Sequence, residues 1–370
     1  MQIMITGGGT GGHTSPAVAI IEELRKRDPR LMIQWVGRKG GIEEQVCERV
    51  AVPFRGVPVE GWPRKRSLRQ AWAAGKLALG VARSMLYIKT FRPQVVVGVG
   101  GYVSLPLCYA AQRLGVPTVL HEQNKRLGMA NRVLAPRATR LLLSYPDTLG
   151  DYPREKSRVV GNPVRAGFAH PPDKTAAREA MGLDPNVPVV LVSGGSQGAR
   201  TINAGMADAI ARFGCDEAQF IWMTGQTDAH AARDSAGKAP CRVEVFPFIN
   251  DMATACAAAD FIVGRAGASS TAEIAMLGRP SLLVPYPFAT DNHQEQNARA
   301  FEQAGAAIVL LDNECTGERL TAILKNALGD AARLQQMARA AASLARPGAA
   351  EAIVEEILLL AFGEREVPGD

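Results

Sequence analysis

The sequence predicts an α/β protein with two Rossmann-like domains, each built on a parallel sheet. Short apolar runs alternate with helical patterns along the whole chain, which is the rhythm of strands connected by crossover helices. A glycine-rich turn also follows an apolar run in each half, at residues 7–12 and 193–198. Such turns bring backbone N–H groups close to an anion at a helix start. Because 370 residues suffice for two cores, we expect two nucleotide-fold domains that face each other across a cleft.

Apolar, β-rich runs predict the strands in order along the chain. In the first half they cover residues 3–5, 31–36, 95–99, 117–120, 140–144 and 158–160; in the second they cover 188–192, 219–223, 242–246, 260–263, 281–284 and 307–311. Turn chemistry at residues 160–165 indicates the boundary between domains at 1–165 and 166–346. An amphipathic helix follows at 349–362, and its pattern alone does not assign it to either domain.

The composition is that of a soluble globular protein, with 47% apolar and 21% charged residues. The six cysteines are scattered without a CxxC pair, which favours a reducing cytoplasm over disulfides or a zinc site. The glycine turn at residue 7 leaves no room for a signal peptide. Residues 94–112 carry no charge, but their glycines and proline favour a strand, a loop and a helix over a membrane span.

The net charge of +6 is unevenly distributed. Residues 1–170 hold 26 Lys and Arg against 11 Asp and Glu, and residues 61–140 hold 14 basic residues and one acid, Glu122. Such a field indicates an anionic partner, which could be a nucleic acid, a membrane surface or a phosphorylated substrate; a solvated basic face without a partner is the alternative. Residues 61–92 interleave the basic residues with Trp and aliphatic side chains, a pattern typical of membrane-surface segments.

The first glycine turn fits the dinucleotide fingerprint, which by itself is a weak signal. The second strand ends in Gly37-Arg38-Lys39 without the acid that holds an NAD ribose, which argues against NAD and leaves NADP open through Arg38. His13 lies where this turn becomes a helix. It could act as a general base, or it could only cap its own turn.

Three further polar segments follow predicted strands. Residues 121–124 (His-Glu-Gln-Asn) are placed either for ligand contact or as a polar loop. Ser270-x-x-Glu273 fits a helix capping box, although Glu273 could also accept two hydrogen bonds from a ribose diol. Residues 291–297 are dense in amides, which suit sugar hydroxyls or a solvated helix face.

Seven motifs together resemble the MurG family of N-acetylglucosaminyltransferases, over roughly residues 3–360. In chain order they are GGGTGGH, GGYVSLP, HEQN, VGNPVR, GGSQGA, GRAGAS…TAE and DNHQEQNA. The resemblance implies the GT-B fold, with the helix at 349–362 returning to the first domain. Two departures are local: Lys125 follows HEQN, and residues 286–290 contain one extra residue.

The resemblance also implies a set of site residues for UDP-GlcNAc. In the first domain these are Thr10, Gly11, Gly12, Asn124 and Arg165; in the second they are Ser196, Ile249, Ala268, Ser269, Ser270, Thr271, Ala272, Glu273 and Gln294. Within this set Arg165 and Ser196 are expected near phosphate. Ile249 is expected at the uracil, Glu273 at the ribose and Gln294 at the sugar hydroxyls. His13 is the favoured general base and Glu122 the second candidate.

The implied reaction is inverting transfer of GlcNAc from UDP-GlcNAc to the C4 hydroxyl of undecaprenyl-diphospho-MurNAc-pentapeptide in peptidoglycan synthesis. No Asp-x-Asp occurs, so no metal is expected, and no other cofactor. Expected partners are the donor, the lipid acceptor, an anionic membrane surface and cell-wall synthesis proteins, but not nucleic acid. The expected location is peripheral, on the cytoplasmic face of the plasma membrane. Alternatives are another GT-B enzyme, such as a UDP-GlcNAc 2-epimerase or a glycolipid glycosyltransferase, and a non-catalytic NADP-binding regulator.

Overall fold

The structure, a computed structural model, describes residues 1–62 and 68–363. It divides into two compact units. The first contains Met1–Ala166 and the chain from Gly348 onward, and the second contains Gly167–Pro347. Each unit is an α/β domain with its own hydrophobic core, as the alternation of apolar runs predicts.

The first unit is built on a seven-stranded parallel sheet in the order β3-β2-β1-β4-β5-β6-β7. The strands are β1 Gln2–Thr6, β2 Met32–Arg38, β3 Phe54–Val57, β4 Val95–Gly98, β5 Thr118–Glu122, β6 Arg140–Leu143 and β7 Ser157–Val159. The inner strands are buried on both faces, which explains their continuous apolar runs. The order of the strands along the chain reverses between β1 and β4, while the strands stay parallel. Sheets of this kind bind ligands at such a reversal point.

Helices cover both faces of this sheet. They are α1 Gly11–Arg27, α2 Ile42–Arg49, α3 Leu68–Phe91, α4 Leu105–Arg113, α5 Met129–Leu134 and the C-terminal α15 Ala349–Phe362. The last of these packs on α1 through Ile353, Val354 and Ile357, which are fully buried in the same cluster as Ile3 and Ile5 of β1. The C-terminal helix therefore completes the core of the first unit.

The second unit repeats the design with six parallel strands in the order β10-β9-β8-β11-β12-β13. The strands are β8 Val189–Ser193, β9 Gln219–Met223, β10 Val243–Phe246, β11 Phe261–Gly264, β12 Ser281–Leu283 and β13 Ala307–Val309. Its helices are α7 Lys174–Ala180, α8 Arg200–Ala209, α9 Ala229–Ala236, α10 Met252–Ala258, α11 Ala268–Met276, α12 His293–Gln303, α13 Gly317–Leu328 and α14 Ala331–Ser343, after a one-turn helix α6 at Ala166–Ala169. The reversal point lies between β8 and β11.

The strand β3 is the one that the apolar pattern does not predict. It is four residues long, contains Arg55 and Gly56, and lies at the sheet edge, so its alternation is too short to read. The uncharged residues 94–112 form β4, a single 3-10 turn and α4, as expected from their glycines and proline. Across residues 1–62 and 68–363, no helix has the length and apolar character needed to span a membrane.

Candidate active site

The first glycine turn connects β1 to α1 at the carboxyl edge of the first sheet. It lies against the turn at Gly100–Gly101, which follows β4. Both of these glycines have positive φ, +86° and +77°. A Cβ on Gly101 would lie 2.4 Å from the carbonyl oxygen of Gly8 and 3.1 Å from the ring of His13. The turn at Gly100–Gly101 therefore needs glycine, because the first glycine turn and His13 occupy the space that a side chain would need.

His13 contacts a residue far away in the sequence. Its Nδ1 lies 3.2 Å from Oε1 of Gln123, just beyond the end of β5. Gln123 is 1% exposed, and its Nε2 lies 2.9 Å from both the carbonyl oxygen of Val99 and Nδ1 of His121. The side chain of His13 thus does more than cap its own turn. It is part of a buried network at the carboxyl ends of β4 and β5.

The 121–124 segment is not a solvated polar loop. His121 and Glu122 are the last two residues of β5 and are 0% and 2% exposed. Burial lowers the pKa of His121 to about 4, although a hydrogen bond to the carbonyl of Gly161 opposes this shift. His121 is therefore neutral at physiological pH.

Glu122 is held by four hydrogen bonds. One carboxylate oxygen accepts from the backbone N–H and the side-chain amide of Asn124, at 3.0 and 3.2 Å. The other accepts from the N–H of Gly128 at 2.8 Å and from Nδ2 of Asn131 at 2.9 Å. Donors to both oxygens anchor the loop after β5. The same bonds orient the side chain of Asn124, whose Nδ2 is turned toward Glu122.

Glu43 is a buried carboxylate that the sequence gives no reason to select. It is 0% exposed and accepts hydrogen bonds from the N–H of Gly9 at 3.2 Å and the N–H of Arg38 at 2.7 Å. A Cβ on Gly8 or Gly37 would lie 2.5 Å from it. Its negative charge beneath the turn opposes a phosphate there. The anion expected at this turn, and with it the NADP alternative, loses the Gly9 N–H as a donor.

The other first-unit candidates lie on loops at the same edge or beyond the last strand. Thr10 is exposed and precedes α1 without a side-chain cap, and Gly11 and Gly12 are the first two residues of that helix. Arg165 is half-buried in the segment after β7. Lys125, one of the two departures, forms a 2.8 Å ion pair with Asp147.

The second glycine turn, at residues 193–198 after β8, and a third glycine turn, at residues 264–267 after β11, meet at the reversal point of the second sheet. Ser193 and Gly264 are register partners at the ends of β8 and β11. A Cβ on Gly264 would lie 2.9 Å from the carbonyl oxygen of Ser193. This pairing brings exposed Ser196 in one turn to the same edge as the start of α11 after the other. Two helix starts with backbone donors therefore adjoin, a favourable arrangement for a diphosphate.

The helix α11 begins three residues earlier than a capping box at Ser270 requires. Its N-cap is Gly267, so Ser270 lies in the first turn and Glu273 in the second. The capping-box interpretation of Glu273 is therefore wrong. Thr271 is fully buried, and its hydroxyl donates to the carbonyls of Gly267 and Ala268, which makes it a support for the turn. Ala268 and Ser269 are 7% and 9% exposed, whereas Ala272 and Glu273 are half-buried.

Gln294 lies in the first turn of α12 and is fixed by the loop after β12. Its Oε1 accepts from the N–H of Tyr286 at 3.0 Å, which leaves its Nε2 to donate elsewhere. Nδ2 of Asn297, one turn later, donates to the carbonyl of Ala266 at 3.1 Å and so ties α12 to the third glycine turn. Ile249 is 8% exposed on the loop after β10, and its N–H faces the sulfur of Met223.

Arg265, a cation within the third glycine turn, is already engaged in contacts with other residues of the second unit. It forms an ion pair with Asp312 and donates to the carbonyls of Val284 and Pro285. Its guanidinium also lies 5.5 Å from the centre of the Tyr286 ring. Arg265 therefore holds the loop that carries Tyr286. In residues 1–62 and 68–363, no group of three or more His, Cys, Asp and Glu is placed to hold a metal ion.

Comparison with known proteins identifies the family. The sequence profile of the glycosyltransferase family 28 N-terminal domain matches residues 3–143, and that of the C-terminal domain matches residues 189–353. The chain belongs to glycosyltransferase family 28. The first profile covers β1 to β6 of the first sheet and the second covers all six strands of the second sheet, so both units match family-28 domains, and the predicted enzyme class is confirmed.

Individual relatives agree over nearly the whole chain. A protein of Moorella thermoacetica named UDP-N-acetylglucosamine--N-acetylmuramyl-(pentapeptide) pyrophosphoryl-undecaprenol N-acetylglucosamine transferase is 40% identical over 97% of this chain and 98% of its own. A protein of the same name from Halalkalibacterium halodurans is 38% identical over 95% and 97%. The crystal structure of Acinetobacter baumannii MurG superposes with a TM-score of 0.77 at 28% identity, covering 96% of this chain and 99% of that one. The resemblance to MurG and the GT-B fold class are confirmed.

Sequence reasoning missed the residues that support the site. Glu43, Gln123 and Asn131 are buried and hold their neighbours through hydrogen bonds. The HEQN motif contains a signal for Gln123, because this residue lies between the candidates Glu122 and Asn124. No local pattern marks Glu43 or Asn131, since Glu43 reaches Gly9, which is 34 residues away in the chain, and Asn131 reaches Glu122, which is 9 residues away.

Proposed function

We propose that this family-28 protein transfers GlcNAc from UDP-GlcNAc to the C4 hydroxyl of an undecaprenyl-diphosphate-linked MurNAc-pentapeptide, with inversion at the anomeric carbon. The observation that carries the proposal is the 40% identity, along nearly the full chain, to a relative whose name states this transfer. Within that assignment the first unit serves the acceptor and the membrane. The second unit binds the nucleotide sugar.

The second unit supplies the donor contacts. Backbone N–H groups at the starts of α8 and α11, together with Ser196, are suited to the diphosphate. They would stabilise the charge that develops on departing UDP.

The backbone near Ile249 takes the uracil, and residues Ala268–Glu273 hold the nucleoside with Glu273 on the ribose. Gln294 reads the sugar hydroxyls through the Nε2 that Tyr286 leaves to donate. Arg165, Asn124 and the turn residues Thr10, Gly11 and Gly12 complete the donor contacts from the first unit.

His13 is the general base in this proposal. A base must remove the proton of the acceptor hydroxyl as the oxygen attacks, and a histidine that is neutral near pH 7 suits this task. Its hydrogen bond to Gln123 and its packing against Gly101 hold the ring in one orientation. Glu122 is the weaker candidate, because four donors already surround its two oxygens.

The helix α3 supports peripheral docking on a membrane. Trp72, Leu79 and Leu86 are spaced seven residues apart and are 63%, 51% and 58% exposed. Arg83 and Lys89 are exposed on the same helix. Apolar groups at this spacing can enter the headgroup boundary while the bases meet anionic lipid. Arg64, Lys65 and Arg66, which belong to the same predicted segment, lie outside the described residues. This face would bring the enzyme to an acceptor that stays in the cytoplasmic leaflet.

Transfer of labelled GlcNAc to a short-chain analogue of the lipid acceptor tests the proposal. Label should enter the lipid fraction only when the acceptor, UDP-GlcNAc and enzyme are all present. A UDP-GlcNAc 2-epimerase would instead consume UDP-GlcNAc without any acceptor. An NADP-binding regulator would be stabilised against heat by NADPH and not by UDP-GlcNAc. Either of these results would reject the transferase.

A further inference from the structure

We infer that Gln123, itself held by His121, fixes His13 in the tautomer that carries its proton on Nδ1 and its lone pair on Nε2. Gln123 and His121 are then positioning residues, since they act through His13. We call the hydrogen-bonded chain from Gly161 through His121 and Gln123 to His13 the relay. Its role in catalysis rests on the proposed function, in which His13 is the base. The tautomer itself does not depend on that function.

The orientation of the Gln123 amide follows from its surroundings. The carbonyl oxygen of Val99 lies 2.9 Å from one terminal atom of this amide, and a carbonyl can only accept a hydrogen bond. That atom must therefore be the NH₂ group, Nε2. The other terminal atom, Oε1, is an acceptor, and it points to Nδ1 of His13 at 3.2 Å. Nδ1 of His13 must then supply the proton.

His121 fixes the same arrangement from the other side. Its Nε2 lies 2.9 Å from the carbonyl oxygen of Gly161, so this nitrogen carries the proton and donates it. Its Nδ1 is then the acceptor for the second N–H of Gln123, at 2.9 Å. His121 is fully buried and its lowered pKa keeps it neutral, which leaves no second proton to reverse the order. The relay therefore runs in one direction from Gly161 through His121 and Gln123 to His13.

The position of the relay in the fold keeps it rigid. His121 is the penultimate residue of β5, and its backbone carbonyl accepts from Nδ2 of Asn131 at 3.1 Å. Gln123 is 1% exposed, so water does not compete for its hydrogen bonds. The Gly100–Gly101 turn packs against the His13 ring. A base whose lone pair must be on one nitrogen gains from such support, because the wrong tautomer cannot accept the proton.

Nitrogen-15 NMR of histidine-labelled enzyme tests the tautomer directly. The chain has 5 histidines, and a His13→Gln variant assigns the His13 signals. Two-bond ¹H–¹⁵N correlations at neutral pH should show a protonated Nδ1 and an unprotonated Nε2 in the native enzyme without substrate. In Gln123→Met, which keeps the volume and removes the amide, the two tautomers should mix. A protonated Nε2 in the native enzyme, or the same tautomer in Gln123→Met, would overturn the inference.

Kinetics then tests whether the relay serves the reaction. Gln123→Met should lower kcat roughly tenfold, the size of effect expected from one hydrogen bond, while the KM for UDP-GlcNAc stays within about twofold. Gln112→Met is the matched control, because that amide donates to the carbonyl of Leu134 on the same unit and does not touch His13. An unchanged kcat in Gln123→Met with mixed tautomers would overturn the positioning role. If His13→Gln also kept its kcat, the base assignment would fail while the tautomer stood.

Discussion

Nδ2 of Asn131 donates a hydrogen bond of 2.9 Å to one carboxylate oxygen of Glu122, and the same amide group lies 3.1 Å from the carbonyl oxygen of His121. One side chain at the start of α5 thus secures two consecutive residues at the end of β5. This contact distinguishes the roles of the two candidate bases, Glu122 and His13. Glu122 is a buried anchor whose oxygens are all engaged, whereas His13 is oriented by its Nδ1.

Glu122→Gln should affect stability more than chemistry. An amide presents an NH₂ group to donors that face a carboxylate, so at least one buried bond is replaced by a repulsive contact, at a cost of about 1–3 kcal/mol. We expect a lower thermal midpoint and a modest fall in kcat. A loss of 10²-fold or more in kcat, with an unchanged midpoint, would instead identify Glu122 as the base.

His13→Ala should lower kcat by roughly 10²–10⁴, the range for loss of a general base. Affinity for UDP should change little, because the proposed uracil and ribose contacts lie on the second unit. Steady-state kinetics and UDP titration calorimetry measure the two effects. His230→Ala is the control, since that side chain is 92% exposed on the second unit. If kcat holds and only the donor KM rises, His13 binds substrate and does not act as the base.

Glu273→Ala should lower kcat/KM for UDP-GlcNAc by a factor that corresponds to about 2–3 kcal/mol of lost transition-state stabilisation. This is the scale of losing hydrogen bonds to a charged group. Because α11 is capped at Gly267, the substitution removes no helix cap and the thermal midpoint should hold. Glu318→Ala, an exposed carboxylate in the first turn of α13, is the matched control. A lowered midpoint with unchanged kinetics would rule out the ribose contact.

His121 should make the first unit less stable in acid. Its pKa is about 4 in the folded protein against 6.5 unfolded, so the unfolded chain binds the proton first as pH falls below 6.5. Stability is then lost progressively between pH 6.5 and 4, by about 2 kcal/mol at pH 5. Thermal unfolding at pH 8 and pH 5 should show a smaller pH effect in His121→Gln than in the native chain. Equal pH effects would mean that His121 is not buried as a neutral group.

Arg83→Ser combined with Lys89→Ser should weaken binding to phosphatidylglycerol vesicles. Each base near an anionic surface contributes about 1 kcal/mol at most, so the loss should be no more than roughly thirtyfold. Co-sedimentation at low and high salt measures it. Arg333→Ser with Arg339→Ser, an exposed pair on α14 of the second unit, removes the same charge elsewhere. Equal loss in both double variants would show that net charge acts and not the α3 face.

Much of the fold follows from local sequence, because parallel strands are continuous apolar runs and glycine turns mark where they end. Local sequence does not predict the edge strand β3, since its four residues include an arginine and a glycine and form no continuous apolar run. The capping-box interpretation of Ser270 failed because it depends on where α11 begins, and the preceding Gly267 already starts it.

Candidate ligand-contacting residues can be found from the sequence more readily than the residues that hold them in place. His13 lies at the start of α1 and Glu122 at the end of β5, both within motifs that can be recognised from neighbouring residues. Gln123 reaches His13 across 110 residues, and Glu43 reaches Gly9 across 34, so only the packed sheet reveals these contacts. Buried polar partners are set by tertiary contacts, which local spacing does not encode.

Analysis of the reaction product tests the central claim most directly. The enzyme, UDP-GlcNAc and a short-chain lipid-linked MurNAc-pentapeptide are incubated together, and the product is examined by mass spectrometry and NMR. The account predicts one added GlcNAc, joined in β linkage to C4 of MurNAc, with one UDP released for each acceptor consumed. Release of ManNAc or UDP-ManNAc without acceptor, or an α linkage in the product, would contradict it.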